Sequence, residues 1–392
     1  MPKRVGMEVS LAASEAACAA DADLIAAYPI TPQTHIVEHL SELVADGKLD
    51  AEFVPVESEH SAISVCVGSS AAGARTFTAT SSQGLALMHE ILFIAPALRT
   101  PIVMVVANRA LSGPISIWND HSDIMAERDV GWIQTFAENG QEVFDLVIHA
   151  FKVAEDPEVL LPIMVNLDGF TLSHVVEPIE ILSASEVSQY LKPYKPQMVL
   201  DPKKPVTMGP VGMPEVYTEA RWQIESLLRG SKKVVVRAWK EFSKHYGRTY
   251  KPIETYRTRG ADVILITMGS VTETAMTAVD GMREKGIKVG LVRFRLWRPF
   301  PIEELKRAVT GVKVLAVMDR AISYGGQGGP VFTEVRSALY GQSGQLQVFG
   351  FVAGLGGRDI TAAMFEQMVK KAIRYAKKGK GPLYELMGVR ER

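Results

Sequence analysis

Phe53-Val54-Pro55-Val56-Glu57-Ser58-Glu59-His60-Ser61-Ala62 decides how the rest of the chain is read. An apolar run ends, two carboxylates and a histidine follow at once, and a run of small residues begins with Ile63, Val65, Val67, Gly68, Ala71 and Gly73. That is a strand turning into a helix. In open α/β sheets the crevice beyond the carboxyl ends of the strands is where ligands sit. Glu57 and Glu59 have two readings. In a helix's first turn they suit the positive end of its dipole, worth a few tenths to about one kcal/mol. Alternatively, Glu59 is a partly desolvated carboxyl positioned to exchange a proton with a ligand nitrogen.

The same strand-to-helix alternation repeats outward. Residues 24–28 read as a buried strand ending at Pro29-Ile30-Thr31-Pro32, a turn stiffened by its prolines. A helix follows with Ile36, Val37, Leu40 and Leu43 inward by spacing. Residues 76–80 form a strand ending in Ser81-Ser82-Gln83-Gly84, and one apolar helix is expected over 85–97. Residues 101–107 are almost wholly apolar and end at Asn108-Arg109, as for a strand buried on both faces of a parallel sheet. Thr31, Glu59, Ser82 with Gln83, and Arg109 thus each follow a strand, and right-handed crossovers bring those ends to one edge. An arginine there can clamp a carboxylate through two nitrogens. A long polar loop over 111–129 follows, then a helix over 141–154 and a strand over 163–167.

Prolines 178, 193, 196, 202, 205, 210 and 214 break helices and central strands, so residues 178–214 are expected to be an extended, surface-wrapping segment. A charged helix over 216–246 leads to a second alternation from Gly260 onward. The glycine runs Gly325–Gly329 and Gly354–Gly357 read as turns. The chain's 392 residues exceed one ordinary core, which calls for two domains.

With 43 basic and 44 acidic residues there is no basic excess to drive nucleic-acid binding. No leader-like apolar region opens the chain, and no stretch is apolar enough to span a membrane, so a cytoplasmic location is expected. Cys18 and Cys66 are the only cysteines and read as core thiols. Two thiols do not hold an iron–sulfur cluster. His35-Ile36-Val37-Glu38-His39 matches a zinc-peptidase pattern, so a zinc hydrolase using His35, Glu38 and His39 is a distant alternative. The opposing expectation is a solvated helix face.

Ala27-Tyr28-Pro29-Ile30-Thr31-Pro32, Val56-Glu57-Ser58-Glu59-His60-Ser61-Ala62, residues 77–84, Ile117-Trp118-Asn119-Asp120-His121, Trp297-Arg298-Pro299-Phe300 and Gly354-Leu355-Gly356-Gly357-Arg358-Asp359 occur together and in order. With them the chain resembles the alpha subunits of the 2-oxoacid:ferredoxin oxidoreductase family over nearly its whole length. The resemblance implies a doubly wound parallel-sheet α/β domain that binds the pyrimidine of thiamine diphosphate, over residues 1–256 with the proline-rich extension. A smaller transketolase-C-terminal-like α/β domain over 257–392 is implied after it. Glu59 is then the carboxyl that meets N1′ of the aminopyrimidine, with Pro29 and Ser82 also at the cofactor and Thr31 and Arg109 at the substrate. The diphosphate-and-Mg²⁺ signature, Gly-Asp-Gly followed by Asn-Asn, is missing from this sequence. The resemblance puts Mg²⁺ and the 4Fe–4S clusters on partner beta, gamma and delta subunits. It implies oxidative decarboxylation of pyruvate, with coenzyme A taking the acetyl group and ferredoxin the electrons. Branched-chain 2-oxoacids and 2-oxoglutarate are the near alternatives.

Overall fold

A computed structural model describes residues 3–341 and 346–390. The first part runs β1 (Lys3–Glu8), α1 (Val9–Ala19), β2 (Leu24–Ala27), α2 (Thr34–Ala45), β3 (Glu52–Pro55), α3 (Glu59–Ala71), β4 (Thr76–Thr80), α4 (Ser82–Leu87), α5 (His89–Ala97) and β5 (Ile102–Asn108). It continues with α6 (Ser122–Ala126), β6 (Ile133–Phe136), α7 (Gly140–Ala154), β7 (Ile163–Asp168), β8 (Val176–Ile181), α8 (Ala184–Tyr190) and α9 (Pro214–Tyr246). The remainder is β9 (Ile253–Tyr256), β10 (Val263–Met268), α10 (Val271–Glu284), β11 (Val289–Phe294), β12 (Leu296–Arg298), α11 (Ile302–Ala308), β13 (Val314–Asp319), α12 (Pro330–Leu339), β14 (Gln347–Val352), α13 (Ala362–Lys378) and β15 (Glu385–Leu386).

Seven strands form the first sheet, in the order β12-β6-β7-β5-β4-β2-β3. All its ladders are parallel except β12 with β6. Every residue of β5 is buried, as an apolar strand covered on both faces must be. The chain steps outward from β2 to β3 and then returns over β2 to β4. That reversal puts the switch point between β2 and β4, and their carboxyl ends open the crevice there. The second sheet has the order β15-β14-β13-β10-β11-β9, with β9 antiparallel at its edge. β9 precedes residue 257 in the chain yet pairs within the second sheet, whereas β12 follows residue 257 and pairs within the first.

Several elements differ from the sequence expectation. The single helix expected over 85–97 is two, α4 and α5, with Met88 between them. The proline-rich stretch is not uniformly extended. Pro178 lies inside β8, opposite Gly6 of β1, in a separate two-stranded antiparallel ribbon, which accommodates a proline because one flank of each strand is free. Ser183 and Glu186 then close a capping box that starts α8 despite the flanking prolines. β1, β6 and α6 were not expected: β1 has no buried residue to set a pattern, and β6 and α6 are four and five residues long. Cys18 is only partly buried, while Cys66 is fully buried and its thiol is pushed up to about 12 by desolvation.

α9 is 33 residues long, about 50 Å. Its second half buries Val234, Val235, Ala238, Trp239 and Phe242 against the core, and it ends at Gly247 in the left-handed conformation. Among the described residues no helix is long and apolar enough to cross a membrane.

Candidate active site

Glu59 opens α3. The extended Ser58 caps the helix by accepting from Ser61 N at 3.2 Å, so the first-turn carboxyl is free for another task. The two neighbouring carboxylates part company here. Glu57 is exposed and accepts from Ser61 Oγ, which lowers its pKa. Glu59 is 7% exposed, and among the described residues no hydrogen-bond donor is paired with its carboxyl. Its oxygens are not among the side-chain atoms wholly cut off from the surface, so the carboxyl opens on the crevice, where a ligand can supply a donor.

What faces Glu59 is shaped for a ligand. A Cβ added at Gly84 would lie 2.6 Å from Glu59 Oε1 and 2.6 Å from Thr80 Oγ1. The missing side chain at 84 therefore leaves the room in which the Glu59 carboxyl and the Thr80 hydroxyl stand, a cradle at the carboxyl end of β4. Thr80 Oγ1, on its wall, is buried without a hydrogen-bond partner. A carboxyl lacking a donor, an orphaned hydroxyl and a glycine cradle together fit the polar edge of an aminopyrimidine, which offers both donors and acceptors.

The turn after β2 is fixed from two sides. Gln33, fully buried, accepts from Ile30 N at 3.1 Å and donates to Ala79 O at 2.9 Å, bridging the switch point to β4. Arg109, at the end of β5, donates from Nη1 to Thr31 O at 2.8 Å and from Nε to Ser116 O at 2.7 Å. Two of its nitrogens thus hold backbone, and Nη2 is left without a partner among the described residues. Burial lowers the arginine's pKa, against the pull of Asp123, but a guanidinium stays charged. Thr31 is exposed on this turn, and its bond to Pro32 is cis. Pro29 lies exposed on the rim.

Ser82 is fully buried with a left-handed backbone, φ 47°, a conformation that costs about 1–3 kcal/mol in a residue other than glycine. Its hydroxyl donates to Ala110 O at 2.7 Å. The residue compensating the strain is Asp123, which sequence reasoning missed. Asp123 Oδ2 accepts from Ser82 N at 3.1 Å and Arg109 N at 2.9 Å, and Oδ1 accepts from Asn108 Nδ2 at 3.1 Å and Ile124 N at 2.7 Å. Desolvation pushes this carboxyl up to about 7 despite those donors. Nothing local sets Asp123 apart from other acids in its polar loop.

Asp168 was also missed, although it ends a buried strand as Arg109 does, which is the signal that singled out Arg109. Its Oδ1 is 2.7 Å from His121 Nε2, and its Oδ2 accepts from Ser270 N at 2.9 Å and faces Arg320 Nη1 at 3.2 Å. Burial would raise its pKa, but Arg320 and His121 hold it well below the usual carboxylate range. Arg320 Nη2 also donates to Asn119 Oδ1 at 2.8 Å. Gly356 N donates to Asp120 Oδ2 at 3.0 Å and Gly357 N to Asn119 O at 2.7 Å. The loop 117–121 is therefore seated on the second sheet's loops beside the crevice.

The zinc-peptidase pattern does not assemble. Glu38 is exposed, His39 Nε2 pairs with Glu15 at 2.8 Å, and His35 Nδ1 pairs with Glu8 at 2.7 Å. The two histidines share a helix face, but separate glutamates of the preceding elements draw them apart.

Residues 15–238 match the family model described as pyruvate flavodoxin/ferredoxin oxidoreductase, thiamine diphosphate-binding, and residues 261–365 match pyruvate:ferredoxin oxidoreductase core domain II. Pyruvate synthase subunit PorA of Methanothermobacter thermautotrophicus is 51% identical over 92% of this chain and 93% of its own length. Ketoisovalerate oxidoreductase subunit VorA of Pyrococcus horikoshii is 44% identical over 94% of this chain and 93% of its own. Among solved structures, 2-oxoglutarate:ferredoxin oxidoreductase from Magnetococcus marinus superimposes with a TM-score of 0.68 at 20% identity, covering 95% of this chain and 66% of that one. That similarity speaks to the fold.

Proposed function

The chain belongs to the pyruvate flavodoxin/ferredoxin oxidoreductase family, and from that premise we propose that it is the alpha subunit of a pyruvate:ferredoxin oxidoreductase, contributing the pyrimidine side of a shared thiamine diphosphate site. The reaction is the reversible, coenzyme A-dependent conversion of pyruvate to acetyl-CoA and carbon dioxide. Two electrons leave singly for ferredoxin through clusters on other subunits. Relatives named for pyruvate at about 50% identity support this substrate over branched-chain 2-oxoacids.

Thiamine diphosphate, when bound, supplies the nucleophilic carbon and the electron sink that decarboxylation needs. This chain's own part is positioning and proton handling. The observation that carries the reading is Glu59, buried, without a donor and pressed against the Gly84 cradle. It would hold a proton at the pyrimidine N1′. Arg109 Nη2 would take the substrate carboxylate, and the Thr31 hydroxyl would meet the substrate beside it on a turn already fixed by Gln33 and Arg109.

Mg²⁺, the diphosphate and the 4Fe–4S clusters are assigned to beta, gamma and delta subunits. The surface supports an obligate complex: Val211 is 86% exposed and Trp222 67%, with Met213, Val216 and Tyr217 also exposed beside them. Apolar side chains clustered in this way are a partner-binding signature. Glu59→Gln in the reconstituted complex is expected to lower pyruvate-dependent ferredoxin reduction by about 100-fold or more, with subunit assembly retained. Turnover at the wild-type rate would overturn the assignment.

A further inference from the structure

Three segments distant in sequence meet beside the turn that carries Thr31. His35 Nδ1 is 2.7 Å from Glu8 Oε1, and the His35 and His174 rings lie with centroids 4.6 Å apart. One ligand atom from each of Glu8, His35 and His174 lies within 4.8 Å of the other two, and all three residues are half-buried.

The scaffold beneath them is built from backbone. Val9 N donates to Val175 O at 3.0 Å and Ser10 N to Ser173 O at 2.9 Å, strapping the start of α1 to the segment after β7. Ser10 Oγ adds a buried bond to Ser173 O at 2.8 Å, and Ser14 Oγ donates to Ile36 O at 2.7 Å, tying α2 to α1. Glu8 stands at the N-cap of α1, yet its side chain makes no capping bond; it is turned to His35 instead. Ser173 Oγ is 2.7 Å from His174 Nδ1, and Phe170 packs on the ring at 4.6 Å between centroids. This fixes the imidazole and leaves Nε2 for another partner. A metal-binding histidine is held in the same way, its second nitrogen engaged by an outer group.

We propose that Glu8, His35 and His174 form a divalent transition-metal site, suited to Zn²⁺, that pins the β2–α2 turn to the start of the chain. Two imidazoles and one carboxylate are a zinc ligand set with a fourth position for water, whereas Mg²⁺ and Ca²⁺ take oxygen ligands. Tetrahedral Zn²⁺ holds its ligand atoms about 3.4 Å apart. The widest separation, at most 4.8 Å, must therefore close by no more than about 1.4 Å, while Glu8 Oε1 and His35 Nδ1, 2.7 Å apart, part by about 0.7 Å as the ion replaces the hydrogen bond between them. The site is distinct from the His35-Glu38-His39 pattern and shares only His35 with it.

Chelator-treated full-length chain, titrated calorimetrically with Zn²⁺, is expected to bind about one equivalent saturably. Co²⁺ in its place is expected to give visible absorption from a nitrogen- and oxygen-ligated ion. His174→Gln and His35→Gln should each weaken binding by about tenfold or more and remove the Co²⁺ bands, while His39→Gln leaves both unchanged. Circular dichroism checks that each variant is folded; if a histidine variant is not, the near-isosteric Glu8→Gln replaces it. No saturable Zn²⁺ binding by the wild-type chain overturns the proposal. So does binding that survives loss of His174 and His35, or of Glu8 where it stands in for them.

Discussion

A methyl group at position 84 would collide with both Glu59 Oε1 and Thr80 Oγ1 at 2.6 Å. Gly84→Ala is therefore a test of the cradle with the acid left in place. Displacing the carboxyl by an ångström is expected to lower kcat by about 100-fold, while overpacking costs about 1–3 kcal/mol of stability. Steady-state kinetics beside thermal unfolding separate the two, and a variant with normal kcat would mean the cradle is not where the ring sits. Arg109→Ala removes the free Nη2 and two backbone anchors. KM for pyruvate should rise by about tenfold or more, and an unchanged KM would mean that Nη2 faces elsewhere. Glu59, Thr31 and Arg109 stand out in the sequence because each lies within four residues of a strand's carboxyl end. Asp123 and Gln33 do not, since what distinguishes them is partners 41 and 46 residues away in the chain.

At the level of elements, α7 is locked to β11 and the residue following it by Glu142. The carboxylate takes Arg293 through two bonds, at 2.8 and 2.9 Å, and Arg295 at 2.6 Å. Burial would raise its pKa, but Arg295 and Arg293 together pull it down to about 2. A carboxyl depressed in the folded state stabilises above its unfolded pKa, about 4.3, and that contribution vanishes as pH falls through the folded value. Glu142→Gln should destabilise the protein by about 1–3 kcal/mol at neutral pH, since it removes the carboxylate that two buried guanidiniums share and leaves Arg295 to Glu254 and Arg293 to Glu138. The gap between variant and wild type should close between about pH 4 and pH 2. Urea unfolding of both proteins across that range checks it, and a gap independent of pH would refute the electrostatic account. The parallel strand β5 was readable because nearly its whole length is apolar. The β1–β8 ribbon was not, because its paired residues lie 168 or more positions apart and β8 contains a proline.

Asp168 acts on the whole molecule. It sits at the end of the first sheet and holds His121 of the crevice loop, Ser270 at the head of α10 and Arg320 after β13. Gly269 comes so close that a Cβ there would be 2.9 Å from Asp168 Oδ2. Asp168→Asn keeps the shape and removes the charge. Amide hydrogen exchange in residues 117–121 and 354–359 should then quicken by about tenfold or more, with the core of the first sheet unaffected. Unchanged protection in both loops would show that the Asp168 charge does not hold them. That the chain carries two α/β units was legible from two alternating patterns. How they join was not, because the join is made of residues far apart in the chain: one apolar cluster holds Ile63, Met104 and Trp132 of the first unit with Ile264, Val292 and Phe294 of the second, and polar loop side chains around Asp168 add to it.

β12 carries one more consequence. Three residues from beyond the middle of the chain, Leu296–Arg298, complete the outer margin of a sheet whose other strands all come from the first 168 residues. A polypeptide released at any point before Leu296 leaves β6 with a bare row of amide and carbonyl groups, a template for pairing with a neighbouring copy. Ribosomal synthesis passes through that state in every round. The amino-terminal unit therefore has to wait, its border unsealed, until the later residues have emerged.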